Sequence, residues 1–184
     1  MIYLQVLSHP FFWTAAARFD FLARAGNYTS TAEGAEGAEH ALLACGGAEF
    51  LANFPRRRWS VHRLLWGAAT SRRDYDQRRV CHLLRLIRNV QQHHSEMLGP
   101  AQWAVVAASV AGATPAGADA AELPTKEPRR GKPGSSTAAV PTPLAAKYFL
   151  SCFEPLLVVV WRTACDQGWM QKQAWSNFSA NKRV

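Results

Sequence analysis

The sequence lacks any apolar run long enough to cross a bilayer. Its best apolar runs cover residues 103–111 and 156–161, whereas a membrane-spanning helix needs about 20 apolar residues. The N-terminus also lacks the basic-then-apolar order of a signal peptide. Direct membrane insertion of this chain is therefore not expected, and a part outside the chain would have to hold it at a membrane.

Acidic residues and paired cysteines are also scarce. Lys and Arg number 21 against 13 Asp and Glu, which gives a formal net charge of +8. This balance favours phosphate or anionic lipid as a partner, and the alternative is a basic but inert surface. The four cysteines form no C-x-x-C pair and no Cys/His spacing typical of zinc. We therefore expect free thiols in a reducing, cytoplasmic compartment, with no metal site and no cofactor.

No run of alternating apolar and polar residues is long enough for a sheet, so the predicted fold class is all-α. A break at His9-Pro10 precedes a first helix that ends at Gly26. Further helices are predicted over residues 40–54, 76–98, 100–110, 144–153 and 155–175. Two low-complexity stretches, residues 27–39 and 111–143, are predicted to be disordered insertions.

The helix over residues 76–98 has the clearest helical pattern, with Asp76 as N-cap and Gly99-Pro100 as its stop. Its apolar side chains fall on one face: Val80, Leu83, Leu84, Ile87, Val90, Met97 and Leu98. His94 falls within this stripe and is predicted to be structural. His93 falls on the polar side.

His93 is therefore the residue of this helix best placed for chemistry. Asn89 lies one turn before it, Arg85 lies one turn before Asn89, and Arg88 stands on the flank. An imidazole can move a proton near neutral pH, and a guanidinium can bind phosphate through forked donors. The pattern indicates phosphodiester chemistry, and the alternative is a solvated histidine without a chemical role.

Three segments, in order, resemble one known family. Residues 75–94 contain Leu-Leu-Arg-Leu-Ile-Arg-Asn-Val-Gln-Gln-His-His and resemble the nuclease core of the inositol-requiring enzymes and ribonuclease L, the kinase-extension nuclease (KEN) family. Residues 7–13 look like the last helix of the preceding kinase lobe, and residues 148–162 look like the closing helices. The resemblance implies a residual kinase end over residues 1–13 and a nuclease domain over 14–178.

The resemblance also implies a reaction. Members of this family cut stem-loop RNA without a metal ion, by attack of the ribose 2′-hydroxyl on the adjacent phosphate, and leave a 2′,3′-cyclic phosphate. At the matching positions, His93 would be the general acid, Tyr75 would assist the 2′-hydroxyl, and Arg88 with Asn89 would hold the phosphate. Further RNA contacts are expected from four arginines, Arg78, Arg79, Arg85 and Arg162.

Partners and location follow from the same resemblance. The family acts in unfolded-protein-response mRNA splicing and decay, and its nucleases pair as homodimers through attached kinase domains. The chain has no Gly-rich phosphate loop and no kinase His-Arg-Asp or Asp-Phe-Gly motif, so the kinase is absent from it. A cytoplasmic location is expected, at the cytosolic face of the endoplasmic reticulum if the chain is part of a longer membrane protein.

The sequence departs from the family pattern at three places, which bear on RNA affinity and substrate choice. Val90 stands where a lysine is usual, residues 76–79 replace a loop of glycine and lysine, and residues 152–155 read Cys-Phe-Glu-Pro instead of Arg and Phe-Pro. Two alternatives therefore stay open. One is an inactive KEN-fold fragment that serves dimerisation or RNA binding. The other is a general nucleic-acid-binding protein whose basic, aromatic residues 56–79 stack on bases.

Overall fold

The computed structural model of the chain is mainly helical in the part that it describes. That part comprises residues 9–31, 34, 37–52, 75–76, 78–112, 142–171 and 175, without the side chains of residues 94–96, 142 and 143. Within these ranges no residue lies in a β-strand. The predicted all-α fold class is therefore confirmed.

The first long helix, α1 (Ala15–Tyr28), begins and ends later than its sequence pattern predicts. A 3-10 turn, Pro10–Phe12, precedes it, and α1 starts only after Thr14, whose side chain caps its first turn. The predicted end at Gly26 is wrong, because this glycine lies inside the helix. Gly26 instead allows the backbone of α1 to pass close to Leu84, because a Cβ at this position would stand 2.2 Å from the Leu84 carbonyl oxygen.

Two short helices, α2 (Ala38–Leu42) and α3 (Ala48–Ala52), replace the single helix predicted over residues 40–54. A π-helical turn, Leu43–Gly47, joins them, and Gly46 adopts a φ of 108° that other residues rarely tolerate. The first two residues of segment 27–39 complete α1 and its last two begin α2, so its ends differ from the predicted loop. Residues 53–74 and 113–141 lie outside the described residues.

The next two helices are α4 (Val80–Met97) and α5 (Pro100–Val110). The predicted stop at Gly99-Pro100 and the predicted bounds of α5 are confirmed. Helix α1 crosses α4 where Gly26 meets Leu84. The apolar stripe of α4 is buried as predicted at five positions, each at most 2% exposed: Val80, Leu83, Leu84, Ile87 and Val90.

The chain closes with α6 (Thr142–Asp166), in which two helical segments meet at a kink beside the break that the sequence predicts between residues 153 and 155. The backbone leaves the helical conformation at Phe153, with φ −129° and ψ 29°, two residues before Pro155. A proline inside a helix lacks the N–H for one helical hydrogen bond, and its ring clashes with the carbonyl four residues earlier, so a kink in the turn before Pro155 is expected. The helix ends at Asp166, and a 3-10 turn, Trp169–Gln171, replaces its predicted continuation.

Because α6 continues past Pro155, the residues Leu144–Asp166 are long and apolar enough to cross a membrane by length and composition alone. The expectation that no run is long enough is wrong by this criterion. However, 56% of the most apolar window is buried inside the protein, and Phe149, Leu156 and Val160 are at most 1% exposed. This burial is the pattern of a core helix, and we assign α6 to the helical core.

Candidate active site

Glu39 of α2 fixes the residue at which α4 begins. Its carboxylate oxygens accept the backbone N–H groups of Val80 at 2.8 Å and Cys81 at 2.9 Å. The prediction of Asp76 as the N-cap is wrong, because the helix starts after Arg79, which provides no capping side chain. A carboxylate at a helix N-terminus satisfies N–H groups that have no partner within the helix and opposes the positive end of the helix dipole.

The loop before α4 is held by His82. The Asp76 N–H donates to His82 Nδ1 at 2.7 Å. The His82 ring meets the Tyr75 ring edge-on, with centroids 5.9 Å apart and planes at 82°. Asp76 Oδ1 also accepts the Arg78 N–H at 2.9 Å, which tightens the turn. Tyr75 consequently packs against α4 and is only 9% exposed.

A row of hydrogen bonds links Tyr75, Asn89, Arg88 and Asn27. Asn89 Nδ2 donates to the Tyr75 hydroxyl. Arg88 Nε donates to Asn89 Oδ1 at 3.0 Å, and Arg88 Nη1 donates to Asn27 Oδ1 at 3.4 Å. The guanidinium is half-buried between α1 and α4 and is oriented by an amide from each helix. Three of the four predicted catalytic residues are therefore in direct contact.

The fourth, His93, lies on the next turn of α4 after Asn89, and its side chain is exposed as the sequence predicts. In a regular helix, side chains four residues apart lie on the same face. The backbone leaves the helical conformation at His93, with φ −132° and ψ 25°, so the last turn of α4 changes direction there. The His94 side chain, predicted to be structural, lies outside the described residues.

The predicted RNA-binding arginines differ in how much of their charge is engaged. Arg85 donates from Nε to a serine hydroxyl that follows α1, at 3.2 Å. The Arg79 guanidinium lies 3.9 Å from the Glu39 carboxylate and is about half exposed. Arg78 is exposed beside it. Arg162 is exposed on α6, and no described contact joins it to the row around Asn89.

Charge and burial act together on His82. Burial is the largest cause that lowers its pKa below the usual 6.5, followed by the positive charges of Arg79 and Arg85, while Asp76 opposes the shift. A lowered pKa keeps the ring uncharged at neutral pH. An uncharged ring leaves Nδ1 able to accept, as the contact with the Asp76 N–H requires.

Sequence reasoning missed three contributors to this site: Asn27, Glu39 and the positioning role of His82. Asn27 and Glu39 contact α4 from helices that lie 61 and 41 residues earlier in the chain, so no local spacing indicates them. The sequence feature that could have indicated a role for His82 is its position on the polar face of α4, two turns before Asn89.

An exposed imidazole one turn from a paired amide and guanidinium supplies the groups that phosphodiester cleavage uses, a proton donor and a phosphate grip. A family model described as Ribonuclease 2-5A matches residues 18–110, which include most of α1, all of α4 and the whole hydrogen-bonded row. The chain belongs to this family, whose members include the KEN nucleases of ribonuclease L and the inositol-requiring enzymes. It is thus of the endoribonuclease class. No curated protein and no solved structure matches the chain significantly.

Proposed function

We propose that the chain is a metal-independent endoribonuclease that cleaves RNA by attack of the 2′-hydroxyl on the adjacent phosphate. The observation that carries the proposal is the bonded row of Tyr75, Asn89 and Arg88, with the exposed His93 one turn further along α4. Family membership supports RNA as the substrate. The reaction and the role of each residue are proposals that follow from this arrangement.

In the proposed reaction a bond forms between the ribose 2′-oxygen and phosphorus, and the bond from phosphorus to the 5′-oxygen breaks. Tyr75 positions the 2′-hydroxyl, whose proton passes to solvent water. His93, in its protonated form, donates a proton to the leaving 5′-oxygen. The products are a 2′,3′-cyclic phosphate and a 5′-hydroxyl, and the proton count balances without a metal ion.

Arg88 and Asn89 serve the phosphate as negative charge develops on its oxygens. Asn27 and Asn89 hold the guanidinium before RNA binds, so little reorganisation is needed during the reaction. Donors that are fixed in advance stabilise developing charge better than mobile ones, and removal of one such donor typically costs about 100- to 1,000-fold in rate.

Stem-loop RNA is the proposed substrate, because its unpaired bases are accessible to side chains. The net charge of +8 favours contact with phosphates, and Arg78, Arg79, Arg85 and Arg162 are the proposed contacts. We further propose a homodimer that forms with an attached kinase, action in unfolded-protein-response mRNA splicing or decay, and a cytoplasmic site at the surface of the endoplasmic reticulum. These cellular roles rest on the resemblance to the family.

The test compares His93→Ala with Gln92→Ala on a stem-loop RNA in EDTA. Gln92 is the exposed neighbour of His93 on the same turn, so its removal controls for general damage to the end of α4. We expect His93→Ala to abolish cleavage and Gln92→Ala to retain it within about threefold, since the proposed proton donor contributes about 100- to 10,000-fold. Equal cleavage by the two variants would rule out the proposed role of His93.

The alternative is a KEN-fold module that binds RNA or dimerises without cleaving. The burial of Tyr75, which is 9% exposed, favours this alternative, because a buried phenol has limited access to a ribose. RNA binding that weakens steeply with salt, together with intact RNA at high protein concentration, would establish the alternative.

A further inference from the structure

We propose that His82 is a positioning residue that holds Tyr75 against Asn89 by accepting the Asp76 N–H in its uncharged form. The consequence for cleavage rests on the proposed function, but the positioning itself does not. His82 would touch neither RNA nor the reacting atoms. It would act through the loop of Tyr75 and Asp76.

The contacts place His82 on both residues of this loop. Its Nδ1 accepts from the Asp76 backbone at 2.7 Å, and its ring packs edge-on against Tyr75 with centroids 5.9 Å apart. Asn89 also bonds to Tyr75, since its amide donates to the phenol oxygen. Tyr75 is therefore fixed along α4 at its backbone end by His82 and at its hydroxyl end by Asn89.

The contact depends on the charge of the ring. A backbone N–H can only donate, so Nδ1 must be without a proton, and the ring carries its proton on Nε2. Protonation of Nδ1 would replace the acceptor with a second donor facing the Asp76 N–H. The contact would then be lost, and with it the restraint on the backbone beside Tyr75.

The groups that face His82 favour the uncharged ring. Burial of the ring disfavours a positive charge, and so do Arg79, which precedes α4, and Arg85 within α4. Asp76 in the loop and Glu39 from α2 act in the opposite direction but more weakly. A histidine surrounded in this way serves as a hydrogen-bond acceptor at neutral pH and ceases to do so in acid.

Two substitutions separate the acceptor from the ring. His82→Asn places an oxygen near the position of Nδ1, so it keeps the acceptor and cannot be protonated near neutral pH. His82→Phe keeps an aromatic edge against Tyr75 and removes the acceptor. The first variant is the conservative rescue, and the second tests the hydrogen bond while the apolar packing remains.

The activity test measures kcat and KM for stem-loop RNA across pH. We expect His82→Asn to keep kcat within about threefold of the wild type, and His82→Phe to lower kcat by about ten- to a hundredfold with KM nearly unchanged, the range for a displaced reacting group. Below the pKa of His82, the kcat of the wild type should fall more steeply than that of His82→Asn. Wild-type kcat in His82→Phe, or identical acid limbs in wild type and His82→Asn, would overturn the proposal.

A measurement without RNA keeps the two proposals distinguishable. Hydrogen-exchange protection of the Asp76 amide should be high in wild type and His82→Asn and lost in His82→Phe. In acid this protection should also be lost in the wild type and should remain in His82→Asn. If the wild type shows this protection but cuts no RNA, the proposed function fails and the positioning role stands. If Asp76 is equally protected in all three proteins, or unprotected in the wild type, the positioning role is refuted.

Discussion

The substitution Gly26→Ala sets two effects of opposite sign against each other. Gly26 lies inside α1, where alanine is favoured over glycine by about 1 kcal/mol. On helix propensity alone the variant should be more stable. The structure predicts the reverse, because the added Cβ would stand 2.2 Å from the Leu84 carbonyl oxygen and 3.1 Å from Arg88 Cβ.

The size of the net effect follows from that distance. Ordinary van der Waals contact begins near 3.4 Å, so α1 and α4 must separate by about 1 Å or distort, and backbone cannot move aside as a flexible side chain can. Overpacking of this kind typically costs about 1–3 kcal/mol. After the gain of about 1 kcal/mol in helix propensity, we expect the free energy of unfolding to fall by up to about 2 kcal/mol.

Urea unfolding measures this change, with Gly99→Ala as the control. A Cβ at Gly99 has its nearest neighbour at 3.8 Å, the end of the Gln102 side chain, so only a small loss, about 0.5 kcal/mol from a poorer N-cap, is expected. RNA cleavage should also weaken in Gly26→Ala, because the shift strains the bond of 3.4 Å between Asn27 and Arg88. Increased stability of Gly26→Ala would refute the close crossing of α1 and α4.

Three further predictions concern residues that lie on α4 or contact it. Glu39→Ala removes the acceptor of two N–H groups at the start of α4 and should lower the free energy of unfolding by about 2 kcal/mol in urea, whereas Glu39→Gln, which keeps one acceptor oxygen, should lose less. Arg88→Lys keeps the charge but cannot reach Asn89 and Asn27 together, so kcat should fall about tenfold or more while the thermal midpoint changes little. Burial, reinforced by Glu39, raises the pKa of the Cys81 thiol from 9.0 to about 12. The stability contributed by the protonated thiol is therefore present below pH 9 and lost as pH rises towards 12. Cys81→Ala should lack this alkaline loss of stability in urea titrations at pH 8–11. Unchanged stability in Glu39→Ala, full activity in Arg88→Lys, or the same alkaline loss in Cys81→Ala would each contradict the corresponding contact.

The helical fold and the orientation of α4 could be predicted from the sequence because they depend on local periodicity. The apolar stripe repeats with the helical period, so it indicates both the buried face and the exposed position of His93. The stop at Gly99-Pro100 is equally local. Helix beginnings were predicted less well: Asp76 has the chemistry of an N-cap, but Glu39 caps α4 instead, from a separate helix.

Contacts between distant segments explain what the sequence did not reveal about the site. Gly26 has the residue type of a helix end, yet its missing side chain serves the crossing with α4. Val90 stands where lysine is usual in the family, and its side chain is fully buried. In this chain that position packs in the core, and its side chain is not placed to contact RNA.

End-group analysis of the cleaved RNA tests the central claim most directly. The wild-type chain is incubated with a stem-loop RNA in EDTA, and both new ends are identified. We predict a 2′,3′-cyclic phosphate on one fragment and a 5′-hydroxyl on the other, with neither product formed by His93→Ala. A 3′-hydroxyl with a 5′-phosphate, or the predicted products from His93→Ala at the wild-type rate, would contradict the account.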